Sequence, residues 1–188
     1  FIPSFDRSAF RRRLLDWYRR NNRELPWREL WKRHRDPYHV WISEIMLQQT
    51  QVTTVIPYYQ RFMQRFPGIT KLAQADLDEV LHFWSGLGYY ARARNLHKTA
   101  QLILEQHKGR FPTAFEKVME LPGIGRSTAA AILSLSRGQH HAILDGNVKR
   151  VLARVFNLET PIDTSAGEKE IWRLAEVHLP VGEAGDYN

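Results

Sequence analysis

The stretch LPGIGRSTAAAILSLSRGQHHAILDGNVKRV, residues 121–151, combines a glycine turn, a helix of small residues and a single acid. Pro122 ends the preceding helical pattern, and Gly123 and Gly125 can adopt a positive φ without a Cβ penalty. A new helix begins directly after them, so the amides of the turn point outward without helical partners. The pattern predicts a helix–hairpin–helix whose amides form an anion site for one phosphate, with Arg126 adding positive charge.

An ordinary turn between two helices, capped by glycines, has the same local pattern. The run TAAAIL at residues 128–133 favours the anion site, because alanines let two helices approach closely enough to fix the geometry of the turn.

Two isolated carboxylates stand out along the chain. Glu44 interrupts the apolar helix VWISEIML and is the single acid between Asp36 and Asp76, while Asp145 is the single acid between Glu120 and Glu159. A carboxyl among apolar neighbours has a raised pKa, as a general acid needs. Asp145 precedes a predicted helix, where amides and the helix dipole favour its carboxylate form.

One protonated and one ionised carboxyl form the pair that cleaves glycosidic bonds through a cationic sugar. Each residue also has a plain structural interpretation: Glu44 as a buried acid paired with an arginine, and Asp145 as a helix cap. Spacing along the chain leaves open whether the two acids meet in space.

Two further segments suit contact with a base stack. GLGYYARARNLHK, residues 86–98, carries two aromatic and three basic residues, and LQQTQ, residues 47–51, places amides at a helix end. Aromatic and amide side chains at loop tips can enter a base stack and fill the space of an extruded nucleotide. The alternative is an amphipathic helix after an ordinary turn. His140 and His141 are adjacent on a predicted loop, which indicates solvated side chains, and we predict no metal site.

Helical periodicity runs through nearly the whole chain, so we predict an all-α fold. The pattern places Phe10, Leu14, Trp17 and Tyr18 on the apolar face of a first helix and starts a second at Asp36-Pro37. We expect a boundary at Pro57 and breaks at FPGI and FPTAF. Further helices are predicted near 76–84, 91–107, 113–120, 126–137, 145–156 and 167–178.

The composition is that of a globular domain, and its positive charge favours a polyanionic partner. Among the 188 residues, 43% are hydrophobic, none is Cys, and the net charge is +7. All of the excess charge lies in residues 1–35, which makes nucleic acid a reasonable partner, although a solvated basic surface has the same composition. No apolar run reaches the length of a membrane span, and FIPSFDRSAFRRR lacks a signal-peptide core. We therefore expect no membrane partner and a cytoplasmic or nucleoid location, nuclear in a eukaryote. The first residue is not Met, so we expect a fragment of a longer protein.

Taken together, these blocks resemble the helix–hairpin–helix DNA glycosylase superfamily of endonuclease III-like fold, and within it the MutY-type adenine DNA glycosylases. The resemblance runs from about residue 10 to the end. It is carried by LPW, DPYHVWISEIMLQQTQV, FWSGLGYYARARNLHK, LPGIGRSTAAAILS and ILDGNVKRVLAR.

This resemblance implies a base-excision repair hydrolase that removes adenine opposite 8-oxoguanine or guanine. It assigns Glu44 as the acid that protonates the flipped adenine and Asp145 as the stabiliser of the oxocarbenium-like sugar. Bifunctional relatives carry a nucleophilic Lys where this chain has Ser127, so we expect a monofunctional enzyme that leaves the strand intact. Asn147 lies near the acids in the family.

The resemblance also implies a monomer that binds duplex DNA with an A·8-oxoguanine or A·G mispair. The amides around Gly123 and Gly125 hold the phosphate, with room for a monovalent cation on the hairpin carbonyls. Two other sets of residues are assigned by the family pattern. The residues that probe the opposite base are Gln48, Gln49, Thr50, Leu87, Gly88 and Tyr89, and those that reach the adenine pocket are Arg23, Trp27 and Arg28.

We expect two lobes with the active site between them, a helical barrel over residues 31–145 and a second lobe of residues 1–30 and 146–188. The family pattern continues into four cysteines that bind a [4Fe–4S] cluster, which would lie beyond residue 188, so we expect no cofactor within this chain. Two alternatives remain: a DNA-binding module without catalysis, and a glycosylase for a thymine or uracil mispair. The segment ELWKRHR, residues 29–35, is longer than the usual link of the family.

Overall fold

A computed structural model describes residues 6–29 and 35–188, and within these ranges the chain forms helices and loops but no β-strand. Most of the segment ELWKRHR lies outside the described residues. Residues 26–29 are also helical. The remaining helices, in chain order from α1 to α11, are Arg7–Asn21, Pro37–Leu47, Val52–Arg65, Ile69–Gln74, Leu77–Trp84, Ala91–His107, Phe115–Met119, Arg126–Arg137, Gly146–Val155, Ser165–His178 and Ala184–Tyr187.

Helix boundaries follow from capping residues that the sequence displays. Asp36 caps α2 by accepting a hydrogen bond from the Tyr38 amide at 2.9 Å, with Pro37 in the first turn. Gly138 ends α8 in the left-handed conformation, with a φ of 68°, and its amide donates to the Ser134 carbonyl. The predicted helix starts at Asp36-Pro37 and at the hairpin are therefore confirmed.

Pro57 does not mark a boundary, contrary to our expectation, because α3 runs through it from Val52 to Arg65. The helix loses one backbone hydrogen bond there, but Thr53, four residues earlier, is exposed, and its carbonyl can meet water. The buried side chains Val55, Tyr59 and Phe62 supply the packing that holds the helix together. The short helices α4 and α11 were not predicted.

A first hydrophobic core is built from α2 to α8 and includes Trp41, Phe62, Trp84 and Ile132. Leu25 and Trp27 also belong to this core, although the predicted lobe boundary assigns residues 1–30 to the other lobe. A smaller second core joins α9, α10 and α11 with residues of the loop before α9, including Leu144, Leu152 and Ile171. The exact lobe boundaries stay a prediction.

Helix α1 connects the beginning of the chain to the second core. Phe10 packs edge-on against the rings of Phe156 and His178, at 6.1 and 6.0 Å between ring centroids. Arg11 donates to the carbonyls of residues 177–179 at the C-terminal end of α10, where a cation suits the helix dipole. Trp17, expected on the apolar face, is instead 57% exposed, and Leu15 is the buried residue of α1.

The alanine run of α8 brings the functional elements together. Ala129, Ala130 and Ala131 are buried, and the helix packs against α2, which carries Glu44. On another side of α8, a Cβ at Gly185 would lie 3.0 Å from the Ser134 carbonyl oxygen, so α11 also approaches closely. Among the described helices, none combines the length and apolar character that crossing a membrane requires.

Candidate active site

Glu44 and Asp145 line the same cleft, which answers the question that their spacing in the sequence left open. One cavity of about 560 Å³ is lined by both acids together with Gln49, Ser127 and Asn147. A second cavity, of about 320 Å³, is also lined by both acids. These volumes lie near the range of small-molecule pockets, roughly 300–1,000 Å³.

Glu44 projects into this cleft from the last turn of α2. Its pKa is about 7, raised from an ordinary glutamate value of 4.5. Burial raises the pKa most, the charge of Asp145 raises it further, and Arg28 opposes both. Among the described residues no donor lies within hydrogen-bonding distance of the carboxylate, so in its protonated form Glu44 can donate to a molecule in the cleft.

Asp145 has the opposite environment, at the exposed N-terminus of α9. One carboxylate oxygen accepts hydrogen bonds from the amides of Asn147 and Val148, at 2.9 and 2.8 Å. The other oxygen lies 3.3 Å from the Asn147 side-chain nitrogen, and the Asn147 oxygen is held in turn by Arg150. The predicted cap is therefore confirmed, and it fixes the direction of the carboxylate.

Ser127 lies between the hairpin and Asp145, and it also lines the cleft. Its hydroxyl oxygen accepts a hydrogen bond from the Leu144 amide at 3.1 Å. The same loop is held from the other side by Asn188, whose side chain contacts the Ile143 amide, the His141 carbonyl and the Ser134 hydroxyl at 2.8–3.1 Å. No local pattern in the sequence points to Asn188, because its partners are up to 54 residues away.

The hairpin connects α7 to α8 as predicted, but its two glycines differ. Gly123 has a φ of +77°, and a Cβ there would lie 2.9 Å from Asn95 Cβ. Gly125 has a φ of −90°, so our expectation of a positive φ at this residue was wrong; it is the N-cap of α8 and adopts an extended conformation. No side chain caps the first turn of α8, so its amides face outward.

Arg126 does more than add positive charge at the hairpin, because its side chain contacts α10. Its guanidinium pairs with Glu176 of α10 and lies 3.8 Å above the Trp172 ring. The residue therefore ties the hairpin helix to the second core, and its contact with a phosphate stays a prediction.

The two predicted probing segments lie at the ends of α2 and α5. Gln49 and Tyr89 form their exposed tips, and both adopt a left-handed backbone, with φ values of 56° and 48°. In residues other than glycine such a conformation costs about 1–3 kcal/mol and persists where surrounding contacts fix it, as at many functional sites. Tyr89 is 63% exposed. Leu87 is only 6% exposed and packs in the first core, which does not suit the predicted insertion of its side chain.

The three residues expected at the adenine pocket have different surroundings. Arg28 lines the smaller cavity beside Glu44 and lies over the Tyr18 ring at 5.6 Å. Trp27 is 1% exposed and packs edge-on against Tyr59, so it belongs to the core rather than the pocket wall. Arg23 is exposed, and its carbonyl accepts a hydrogen bond from Arg28.

Sequence reasoning also missed aromatic and arginine side chains around the cleft. Trp17 and Tyr18 line the smaller cavity, where the periodic pattern of α1 had indicated core positions. Arg92 reaches the backbone of both probing segments, and its partners lie up to 47 residues away in the sequence. His141 stacks on Phe115 with 4.4 Å between ring centroids, and burial lowers its pKa.

An all-helical fold with a glycine hairpin beside a two-carboxylate cleft defines a helix–hairpin–helix protein. The chain belongs to the HhH-GPD superfamily of base excision DNA repair proteins, because the model of that family matches residues 42–176. The predicted all-α helix–hairpin–helix fold and the predicted family are thereby confirmed.

Several characterised proteins are similar to this chain. It is 47% identical over 180 residues to the adenine DNA glycosylase of Buchnera aphidicola subsp. Acyrthosiphon pisum (strain APS), an alignment that covers 95% of this chain and 50% of that protein. It is 45% identical over 193 residues to the adenine DNA glycosylase of Mus musculus, with 100% of this chain and 38% of that protein covered. The chain thus spans half the length, or less, of these curated relatives.

Among solved structures, a thermostable thymine-DNA glycosylase has a similar fold, with a TM-score of 0.86 and 29% sequence identity. The superposition covers 97% of this chain and 82% of that chain.

Proposed function

We propose that this chain is the catalytic part of an adenine DNA glycosylase, which hydrolyses the N-glycosidic bond of adenine paired with 8-oxoguanine or guanine. The observation that carries the proposal is the pair Glu44 and Asp145, two carboxylates in contrasting environments on one cleft. The identity of 47% to an adenine DNA glycosylase supports adenine as the base.

Glu44 is the general acid in this proposal. A flipped adenine that enters the cleft meets a carboxyl with a pKa of about 7, which gives its proton to the base as the glycosidic bond breaks. The electron pair of that bond leaves with adenine, and the sugar becomes cationic. Glu44, now a carboxylate, accepts a proton from the water molecule that attacks the sugar carbon.

Asp145 stabilises the sugar cation, electrostatically or through a transient covalent bond. Its carboxylate is fixed by the amides of Asn147 and Val148, so little reorganisation is needed when the charge develops. Ser127 has no amine, and a hydroxyl cannot form a Schiff base with the sugar. The reaction we propose therefore ends with an abasic site in an unbroken strand.

Duplex DNA is the proposed partner, bound by a monomer. The uncapped amides of α8 suit one backbone phosphate, and the exposed tips Gln49 and Tyr89 suit the space of the extruded nucleotide. A monovalent cation on the hairpin carbonyls would be compatible with this grip. We retain the two lobes, residues 31–145 and residues 1–30 with 146–188, as part of the proposal, with Leu25 and Trp27 packed on the first lobe.

A [4Fe–4S] cluster is the cofactor that the family pattern implies. The 188 residues contain no cysteine, so the chain itself does not fit such a cluster, and no step of the mechanism involves it. Cysteines beyond residue 188 would supply the ligands.

A second candidate is a glycosylase for a thymine or uracil mispair. The structural similarity to a thymine-DNA glycosylase, at 29% identity over most of both chains, supports it. A DNA-binding module without catalysis is the third reading, since the same hairpin and probing loops bind DNA without any chemistry.

A panel of end-labelled duplexes separates the three candidates. The panel contains A·8-oxoguanine, A·G, T·G and U·G pairs, and each is incubated with this chain, with the full-length protein and with its Glu44→Gln variant. Alkali cleaves the strand where a base has been lost, and omission of alkali shows whether the protein itself nicks the strand. We expect alkali-dependent cleavage at adenine alone, and much slower cleavage with Glu44→Gln.

Cleavage at thymine or uracil would replace the first candidate with the second. Binding of the duplex without base release from either protein would favour the module, and cleavage without alkali would contradict the assignment of Ser127.

A further inference from the structure

Arg92, near the N-terminus of α6, reaches the end of the helix that carries Glu44. One terminal nitrogen donates to the carbonyls of Ile45, Met46 and Gln48, at 2.8, 3.0 and 2.7 Å. The last carbonyls of a helix have no partner within the helix, and a cation is favourable at that end. Arg92 therefore acts as a side-chain cap for α2.

The other terminal nitrogen of Arg92 reaches the second probing segment. It lies 3.3 Å from the carbonyls of Leu87 and Gly88 and from the Thr50 hydroxyl. The guanidinium also lies over the rings of Trp84 and Tyr89, at 5.2 and 5.7 Å from their centroids. One planar group thus holds the backbone of both segments.

These contacts surround the two strained positions of the segments. The Gln48 carbonyl and the Thr50 hydroxyl flank Gln49, and the Leu87 and Gly88 carbonyls precede Tyr89. Both tips have a left-handed backbone, which persists where surrounding contacts fix it. Arg92 supplies such contacts to both tips at once.

The same face of α6 also holds the hairpin. Thr99, two turns after Arg92, donates to the Pro122 carbonyl at 2.9 Å. Asn95, between them, packs against Gly123 so closely that an added Cβ would lie 2.9 Å from Asn95 Cβ. Residues 92, 95 and 99 share one helical face, so the helix sets a fixed spacing between the probing tips and the hairpin.

We propose that Arg92 is a positioning residue that joins the Gln49 and Tyr89 tips into one wedge and sets its distance from the hairpin. The proposal rests on the proposed function, in that the wedge enters a DNA duplex. A lysine at this position keeps the positive charge but lacks the planar set of guanidinium donors. We therefore expect Arg92→Lys to uncouple the two tips.

A double-mutant cycle in two backgrounds tests the coupling. The variants Gln49→Ala, Tyr89→Ala and their combination are made in the full-length protein with and without Arg92→Lys. Affinity for an A·8-oxoguanine duplex is measured, together with the fluorescence of 2-aminopurine placed beside the adenine as a signal of unstacking. With Arg92 present, we multiply the fold losses of affinity of the two single variants and compare the product with the fold loss of the double variant. We expect the loss in the double variant to be smaller than that product by at least about threefold. In the R92K background we expect it to equal the product.

Hydrogen exchange of the free protein provides a readout that needs neither DNA nor chemistry. Arg92→Lys should increase amide exchange at residues 48–50 and 87–90 together. The matched control is Arg94→Lys, an exposed arginine on the same helix, which should leave both the exchange and the coupling unchanged. Increased exchange in one segment alone, or an unaltered cycle in R92K, would overturn the proposal.

The two proposals fail in different ways. Loss of coupling in R92K combined with no release of adenine by the unmutated protein would reject the proposed function and keep the wedge. Normal release of adenine with the same coupling in both backgrounds would reject the role of Arg92 and keep the proposed function.

Discussion

The Ser127 hydroxyl oxygen lies 3.1 Å from the Leu144 amide nitrogen, and this hydrogen bond joins the first turn of α8 to the residue before Asp145. The hairpin that we propose as the phosphate grip and the carboxylate that we propose to face the sugar are thus connected through one side chain.

Replacement of Ser127 should therefore affect Asp145 without changing DNA affinity. Ser127→Ala removes the acceptor and leaves the Leu144 amide unpaired, at about 1–2 kcal/mol of unfolding free energy. We expect kcat for adenine release to fall while the Kd for the duplex stays the same, as measured by single-turnover kinetics and fluorescence anisotropy. Ser127→Thr, which keeps a hydroxyl, is the control. A change in Kd alone would argue against this role.

The rate of base release should depend on the protonation of Glu44. Because a general acid acts in its protonated form and the pKa of Glu44 is about 7, the rate should fall about tenfold for each pH unit above that value. Glu44→Gln should lower the rate by roughly 10²–10⁴-fold and remove this pH dependence. A pH–rate profile of both proteins, at saturating enzyme, provides the measurement. An identical slope in the two profiles would exclude Glu44 as the acid.

The same carboxyl makes a prediction about stability. The folded pKa of about 7 lies above the ordinary value of 4.5, so the folded chain keeps a proton that the unfolded chain releases. The contribution of Glu44 to the free energy of unfolding is largest below pH 4.5 and falls as the pH rises towards 7. Above that pH the contribution is constant. Glu44→Gln should be more stable than the parent at pH 8 by up to about 3 kcal/mol. Urea unfolding at pH 5 and pH 8 measures the difference, which should be larger at pH 8.

Asp145 combines a structural and a chemical role that one substitution can separate. Asparagine is as good a helix cap as aspartate, so Asp145→Asn should change the unfolding free energy by less than about 0.5 kcal/mol. Asp145→Ala should lose about 1 kcal/mol because the cap is gone. Both variants should lose base release, since neither carries a negative charge beside the sugar. Thermal melts with the glycosylase assay distinguish the two effects, and retained activity in Asp145→Asn would contradict the assignment.

The two hairpin glycines should respond differently to alanine. Gly123→Ala introduces a Cβ at a φ of +77°, 2.9 Å from Asn95 Cβ, and should destabilise the fold by about 1–3 kcal/mol. Gly125→Ala has an ordinary φ and no atom within 4 Å of the new Cβ, so the fold should tolerate it. If a phosphate approaches the hairpin amides, Gly125→Ala should still weaken duplex binding. Unchanged affinity in this variant would show that the phosphate binds elsewhere.

Local signals in the sequence predicted much of this architecture. The caps at Asp36 and Asp145, the hairpin and the small-residue helix after it depend on residues within a few positions of one another. Glu44 was identifiable because an acid in an apolar helix is unusual. Such features depend on short-range chemistry, which the sequence displays directly.

Features that depend on packing at long range could not be predicted. Helix α3 continues through Pro57 because its inner face is buried through the side chains of Tyr59 and Phe62. Trp27 and Leu87 are buried in the core, although the family pattern assigned Trp27 to the adenine pocket and Leu87 to a probing segment. Arg126 pairs with Glu176, fifty residues later, and Arg92 bonds to the end of α2. No local pattern reveals which distant carbonyl an arginine will meet.

The clamp of Arg11 on the carbonyls of residues 177–179 has a consequence for the order of folding. These contacts span up to 168 residues, so α1 cannot dock until residue 179 has left the ribosome. At about 5–20 residues per second, the first helix waits many seconds for its partner. The core beside Glu44 needs residues up to 133 and can close before that moment, whereas the core that contains Leu144 needs residues up to 184. A nascent chain that ends before residue 145 therefore contains Glu44 but not Asp145.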